Sequence, residues 1–158
     1  VSLVCKYKPI PSMGTSLLAP KDILYRILVV DDSRMNRNMV AKLLTTQGHI
    51  CEEAEDGSEA VTIITSKPEK FDVILMDYEM PVMVGPDATK QIREFGFKGL
   101  IVGVTGNVLA NDVDYFKNCG ANAVLEKPLN LQYLSEVFNQ YQNKDSDSDK
   151  STRGILII

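Results

Sequence analysis

Residues 71–83 read FDVILMDYEMPVM. Phe71 to Met76 is almost continuously apolar, with Asp72 as its only charge. A short run of that kind reads as a strand buried on both faces. It stops at Asp77, and Tyr78, Glu79, Met80 and Pro81 follow. In an open parallel sheet the carboxyl ends of the strands open into a crevice where ligands bind. Asp77 is therefore expected at the mouth of such a sheet, where the chain leaves it.

Working outward, the same unit recurs. Arg26 to Val30 (RILVV) is a buried-strand run ending in Asp31-Asp32, and Ser33 can cap a helix carrying Met35, Met39, Val40, Leu43 and Leu44. Gly48 is a natural helix terminator, His49 to Ala54 a short strand, and Ser58 to Ser66 a helix stopped by Lys67-Pro68. Beyond the central strand, Pro86 suits the first turn of a helix over Ala88 to Phe95. Leu100 to Val104 is the fourth strand, ending at Thr105, and Leu109 to Asn118 the next helix. Ala121 to Leu125 is the fifth strand, running into Glu126-Lys127-Pro128, and a helix over Leu131 to Tyr141 carries Leu131, Leu134, Phe138 and Tyr141 on one stripe. Five strands alternating with helices predict an α/β domain with parallel strands and right-handed crossovers. The expected division is a linker or disordered arm over 1–24, one domain over 25–142, and a charged flexible tail over 143–158.

Composition narrows the function. The 158 residues are 44% hydrophobic and 24% charged with a formal charge of −4, ordinary for a soluble globular chain. The acidic balance, without any Lys/Arg run, argues against nucleic acid as a partner. No apolar run is long enough to span a bilayer, so no membrane contact by this segment is expected. Cys5, Cys51 and Cys119 are widely spaced without a CxxC or histidine companion, which suits a reducing, cytoplasmic compartment and offers no zinc site. The first residue is Val rather than Met, as in a piece of a longer polypeptide, although trimming gives the same appearance.

The strand ends carry the chemistry. Asp31, Asp32, Asp77, Thr105 and Lys127 all stand there, and strand ends of a parallel sheet are neighbours in space, so the five side chains should converge. Three crowded carboxylates repel one another unless a cation neutralises them. A hard, oxygen-preferring ion such as Mg²⁺ fits. Lys127 adds a second positive charge and Thr105 a hydroxyl donor. Together they describe phosphoryl transfer onto a carboxylate.

The ordered pattern of DD at 31–32, MDYEMPVM at 76–83, VTGN at 104–107 and EKP at 126–128 resembles the receiver domain of two-component response regulators and hybrid histidine kinases, over Arg26 to about Tyr141. The resemblance implies a flavodoxin-like, doubly wound five-stranded sheet of order 2-1-3-4-5, with Lys127-Pro128 as a cis peptide. It implies Asp77 as phosphoacceptor and Mg²⁺ held by Asp31, Asp32, Asp77 and the backbone carbonyl of Glu79. Thr105 would be the switch hydroxyl, Lys127 the counter-charge, and the donor a histidine kinase or a histidine phosphotransfer protein. It further implies a module that catalyses its own phosphorylation and slow dephosphorylation, either alone or as the C-terminal receiver of a hybrid kinase on the intracellular face of a membrane. Asn107 and the following helix would form a partner-binding face. Two positions depart from the commonest pattern. Val84 replaces an acidic or polar residue before Gly85, and Val124 stands where many bacterial members place Tyr or Phe.

Plainer readings attach to the remaining residues. The Met35, Met39 and Leu43 stripe reads as core, His49 as a surface residue without a catalytic partner, and Glu52 and Glu53 as solvated. Two rival functions remain. A pseudo-receiver would be a pure interaction module with a silent site. An aspartyl-nucleophile phosphatase would use Glu79, two residues after Asp77, as its acid.

Overall fold

The computed structural model describes residues 23–145, with side chains placed for 23–143; the arm expected before residue 23 and most of the expected tail lie outside the described residues. The elements run β1 (Arg26–Val30), α1 (Arg34–Thr46), β2 (Ile50–Ala54), α2 (Gly57–Ser66), a 3-10 turn at Pro68–Lys70, β3 (Val73–Asp77), α3 (Gly85–Phe95), β4 (Leu100–Thr105), α4 (Ala110–Asn118), β5 (Ala123–Glu126) and α5 (Leu131–Asp145). All pairings are parallel, in the order β2-β1-β3-β4-β5. This is the α/β architecture expected from the alternation of strand and helix.

Why both faces are apolar follows from the strand period. Successive side chains point to opposite sides, so an uninterrupted apolar strand feeds two cores at once. Leu28, Val30, Ile74, Met76, Ile101 and Val124 pack on one side with Ala60 and Ile64 of α2, Ala88 and Ile92 of α3, and Phe116 of α4. Ile27, Val29, Val73, Leu75, Val102 and Leu125 pack on the other with Leu44 of α1 and Leu134, Val137 and Phe138 of α5. Gly103 in β4 makes this possible locally, because a Cβ there would stand 2.5 Å from the Phe116 ring. The edge strand β2 differs. Its Glu52 and Glu53 are paired with Lys70 and Arg37 rather than merely solvated.

Three expectations are corrected. Met35, Met39 and Leu43 are 79%, 50% and 41% exposed, so that stripe is not core. Spacings of three and four describe any helical stripe, and the stripe facing the sheet is the neighbouring one, with Arg37, Val40, Ala41 and Leu44. His49 is not a surface residue: it is half-buried, Nδ1 accepts the Tyr25 N–H at 3.1 Å, and its ring packs edge-on to Phe138. The last helix runs on to Asp145 rather than ending at Tyr141, anchored by Tyr141 Oη to Lys98 O and by Gln142 to Tyr25 Oη. Among the described residues, no helix is long and apolar enough to cross a membrane.

Candidate functional site

Parallel register brings the chemistry together. Val30 pairs with Met76 and Asp77 with Val104, so Asp31, Asp77 and Thr105 leave neighbouring strands at one edge. Lys127 follows β5, and the Lys127-Pro128 peptide is cis. Its Nζ lies 2.9 Å from Asp31 Oδ2 and 2.9 Å from Asp77 Oδ1. Carboxylate oxygens of Asp31, Asp32 and Asp77 all lie within 4.8 Å of one another.

The two flanking acids are held in different ways. Asp31 is buried, and Oδ1 accepts the Ser33 N–H at 2.8 Å while Oδ2 takes the Lys127 ammonium. Asp32 is exposed, and among the described residues its carboxylate takes no donor. Asp77 is 3% exposed, and burial pushes its carboxyl from the ordinary 3.8 up to about 6. The Lys127 hydrogen bond resists that rise, and the charges of Asp31 and Asp32 add to it. Burial pulls the Lys127 ammonium down, but its hydrogen bonds and charge attraction to Asp77 and Asp31 outweigh this and leave it raised.

Three carboxylates against one ammonium leave two excess negative charges in a cluster of hard oxygen donors. That donor set and charge fit a divalent, oxygen-preferring ion such as Mg²⁺. The loop after Asp77 is shaped by close approach. Gly85 N donates to Tyr78 O at 2.9 Å, and a Cβ at Gly85 would collide with the Asp77 carbonyl. Val84, one residue earlier, is the non-hydrogen-bonding cap of α3 and lies at the surface. The Glu79 side chain is exposed beside the loop.

Thr105 is where convergence is incomplete. Its buried hydroxyl donates to Asn107 O at 3.0 Å and accepts from Asn107 N at 3.1 Å, engaging its own loop rather than the charged groups. Val124, where an aromatic was the commoner expectation, is buried in the core. Two features were missed in the sequence. Tyr78, directly after Asp77, packs its ring edge-on to Phe116 at 5.5 Å and places Oη 3.3 Å from Asp112 of α4. Arg37 Nη1 donates to Asp31 O at 2.7 Å and Asp32 O at 3.2 Å. A cation at helical spacing after DD was the available signal for Arg37. The Tyr78 contact spans 34 residues and left no local trace.

Comparison with known proteins agrees with this geometry. Residues 27–139 match the model of the response regulator receiver domain. Two-component response regulator 24 of Arabidopsis thaliana is 38% identical over 113 residues, 72% of this chain and 81% of that protein. Sensor histidine kinase RcsC of Salmonella typhimurium is 35% identical over 118 residues, 75% of this chain but only 12% of the kinase. Among solved structures, the co-crystal of the yeast histidine phosphotransfer protein Ypd1 with the receiver domain of Ssk1, from Saccharomyces cerevisiae, matches with a TM-score of 0.68. That match has 28% identity and covers 80% of this chain and 94% of that one. With its family match running from β1 into α5 and taking in the acid-lined edge, the chain belongs to the response regulator receiver domains.

Proposed function

We propose that this chain is a phosphorelay receiver in which Asp77 accepts a phosphoryl group from a phosphohistidine on a histidine kinase or a histidine phosphotransfer protein. The supporting observation is the buried Asp77, raised to about 6, in contact with Lys127 and crowded by two further acids. At neutral pH Asp77 is mostly ionised and can act as nucleophile. One carboxylate oxygen forms the O–P bond as the P–N bond to the donor breaks. The donor ring keeps the bonding pair and takes a proton from solvent. Lys127 exchanges part of its contact with Asp77 for an oxygen of the incoming group. The Thr105 hydroxyl leaves Asn107 O and donates to another.

Asp31, Asp32, Asp77 and the Glu79 carbonyl would hold Mg²⁺, which supplies charge neutralisation around the transferring oxygens. The added dianion then biases the Thr105–Cys119 region toward a second arrangement. Water later cleaves the acyl phosphate, or a second histidine takes it. A cytoplasmic setting follows from a donor of this kind. The kinship with RcsC supports a place within a hybrid kinase, and the Arabidopsis regulator supports a stand-alone one.

The test is to incubate the protein with a small phosphoramidate and Mg²⁺ and weigh it intact. One acid-labile phosphoryl is expected, absent in Asp77→Asn. No gain in the wild type would favour the pseudo-receiver, and steady turnover of phosphoesters the phosphatase.

A further inference from the structure

Resting on the metal-assisted reading above, we infer that Arg37 is a positioning residue that sets the acidic pair for its cation. Asp31 is fixed through its own carboxylate, by Ser33 N and Lys127. Asp32 has no such restraint, so the direction of its free carboxylate depends on its backbone. That backbone is gripped by Arg37. Nη1 donates to the carbonyls of both Asp31 and Asp32, which therefore converge on one donor. Two consecutive carbonyls aimed at one point repel unless a cation satisfies both, and a guanidinium does this in fixed geometry. Its side chain is only 11% exposed.

The grip is itself anchored. Arg37 sits one turn into α1, its own N–H bonded to Ser33 O at 3.0 Å. Nε lies 3.4 Å from Glu53 Oε2 of β2, an ion pair not aligned for a hydrogen bond. Arg37 thus joins the β1–α1 loop to the edge strand from behind, leaving the front of Asp32 open. Groups that orient metal ligands from behind typically contribute about 10–100-fold in affinity.

The experiment measures Mg²⁺ dissociation constants by calorimetric titration at neutral pH, alongside urea stability, for wild type, Arg37→Gln, Arg37→Lys and Arg26→Gln. Arg26→Gln breaks an exposed pair with Asp72 at the far end of β1 and reports stability loss alone. Arg37→Gln is expected to weaken Mg²⁺ about tenfold or more. Arg37→Lys should fall between it and the wild type, and Arg26→Gln should leave affinity unchanged. Wild-type affinity in both Arg37 variants overturns the inference while leaving the receiver reading intact. Failure of the wild type itself to bind Mg²⁺ overturns the reading beneath it. If Arg37→Gln does not fold, Arg37→Lys decides, because unchanged affinity in a folded Lys variant is incompatible with a guanidinium-set loop.

Discussion

At the ends of β1, β3 and β5 the charged groups already touch, with Lys127 bridging Asp31 and Asp77 at 2.9 Å each. At the end of β4, between them, Thr105 uses its hydroxyl on the backbone of Asn107 instead. The helix that follows, α4, is preceded by Leu109, which offers no side-chain cap. One region is thus assembled before any ligand arrives, while the other has to exchange a partner first. On the function proposed here, accepting a phosphoryl group and reporting it rest on different bonds. The ionic half stores unfavourable charge, and the hydroxyl half stores an alternative pairing.

Lys127→Met attacks the ionic half most directly. It leaves Asp31 and Asp77 facing each other without a cation, and stability at pH 7.5 in metal-free buffer should fall by about 2–3 kcal/mol. Added Mg²⁺ should restore most of this, because a cation in the acid cluster takes over the neutralisation. Urea melts with and without Mg²⁺ measure both. An equal loss under the two conditions would mean that Lys127 acts only through packing.

Asp77→Asn should move the other way. The carboxyl is raised from 3.8 to about 6, so the folded chain binds a proton more tightly than the unfolded one. The ionised form therefore penalises the fold fully above pH 6, and the penalty disappears as pH falls through 6 toward 4. A rise of that size corresponds to about 2–3 kcal/mol, so Asp77→Asn is expected to be more stable than wild type by that order at pH 7.5. At pH 4 the two should be close. Mg²⁺ should narrow the gap from the other side, by stabilising the wild type. A variant less stable than wild type at pH 7.5 would show that the Lys127 pair outweighs burial.

Much of this was legible because parallel strands end where polarity changes. Asp31, Asp77, Thr105 and Lys127 each stand at or just after the end of an apolar run, so strand ends and the grouping of these residues could be read from punctuation alone, while the strand order rested on the family resemblance. What could not be read depends on rotation or distance. The periodicity of α1 fits a stripe at 35, 39 and 43 as well as the one at 37, 40, 41 and 44, and only the sheet decides which is covered. Asp72 looked like an interruption of a buried strand, yet it precedes β3 and pairs with Arg26 at the opposite end from the site. Thr105 was placed correctly in the chain, but which partner its hydroxyl chooses is a matter of one loop's conformation. His49 looked solvated because the partners of its ring are distant in sequence; Tyr25 lies 24 residues before it, and Phe138 far after it.

The smallest effect tests where the two halves meet. Tyr78 leaves β3 directly after Asp77, with its N–H donated to Val104 O at 2.8 Å, so its backbone belongs to the fixed region. Its side chain belongs to the other, packing edge-on to Phe116 and reaching Asp112 in the first turn of α4. Burial and the nearby Asp112 charge both raise the phenol above its usual range, so it stays a neutral donor through the physiological range. Removing that one partly exposed bond in Tyr78→Phe should lower global stability by less than about 1 kcal/mol, because the ring and its packing remain. Local opening is a separate quantity, and a helix held by few bonds opens more often when one is lost. Amide hydrogen exchange in Ala110–Asn118 should therefore speed up severalfold while β1 and β3 amides hardly change. Equal acceleration everywhere would mean that α4 and the ionic half open as one unit, and the division between them would be lost.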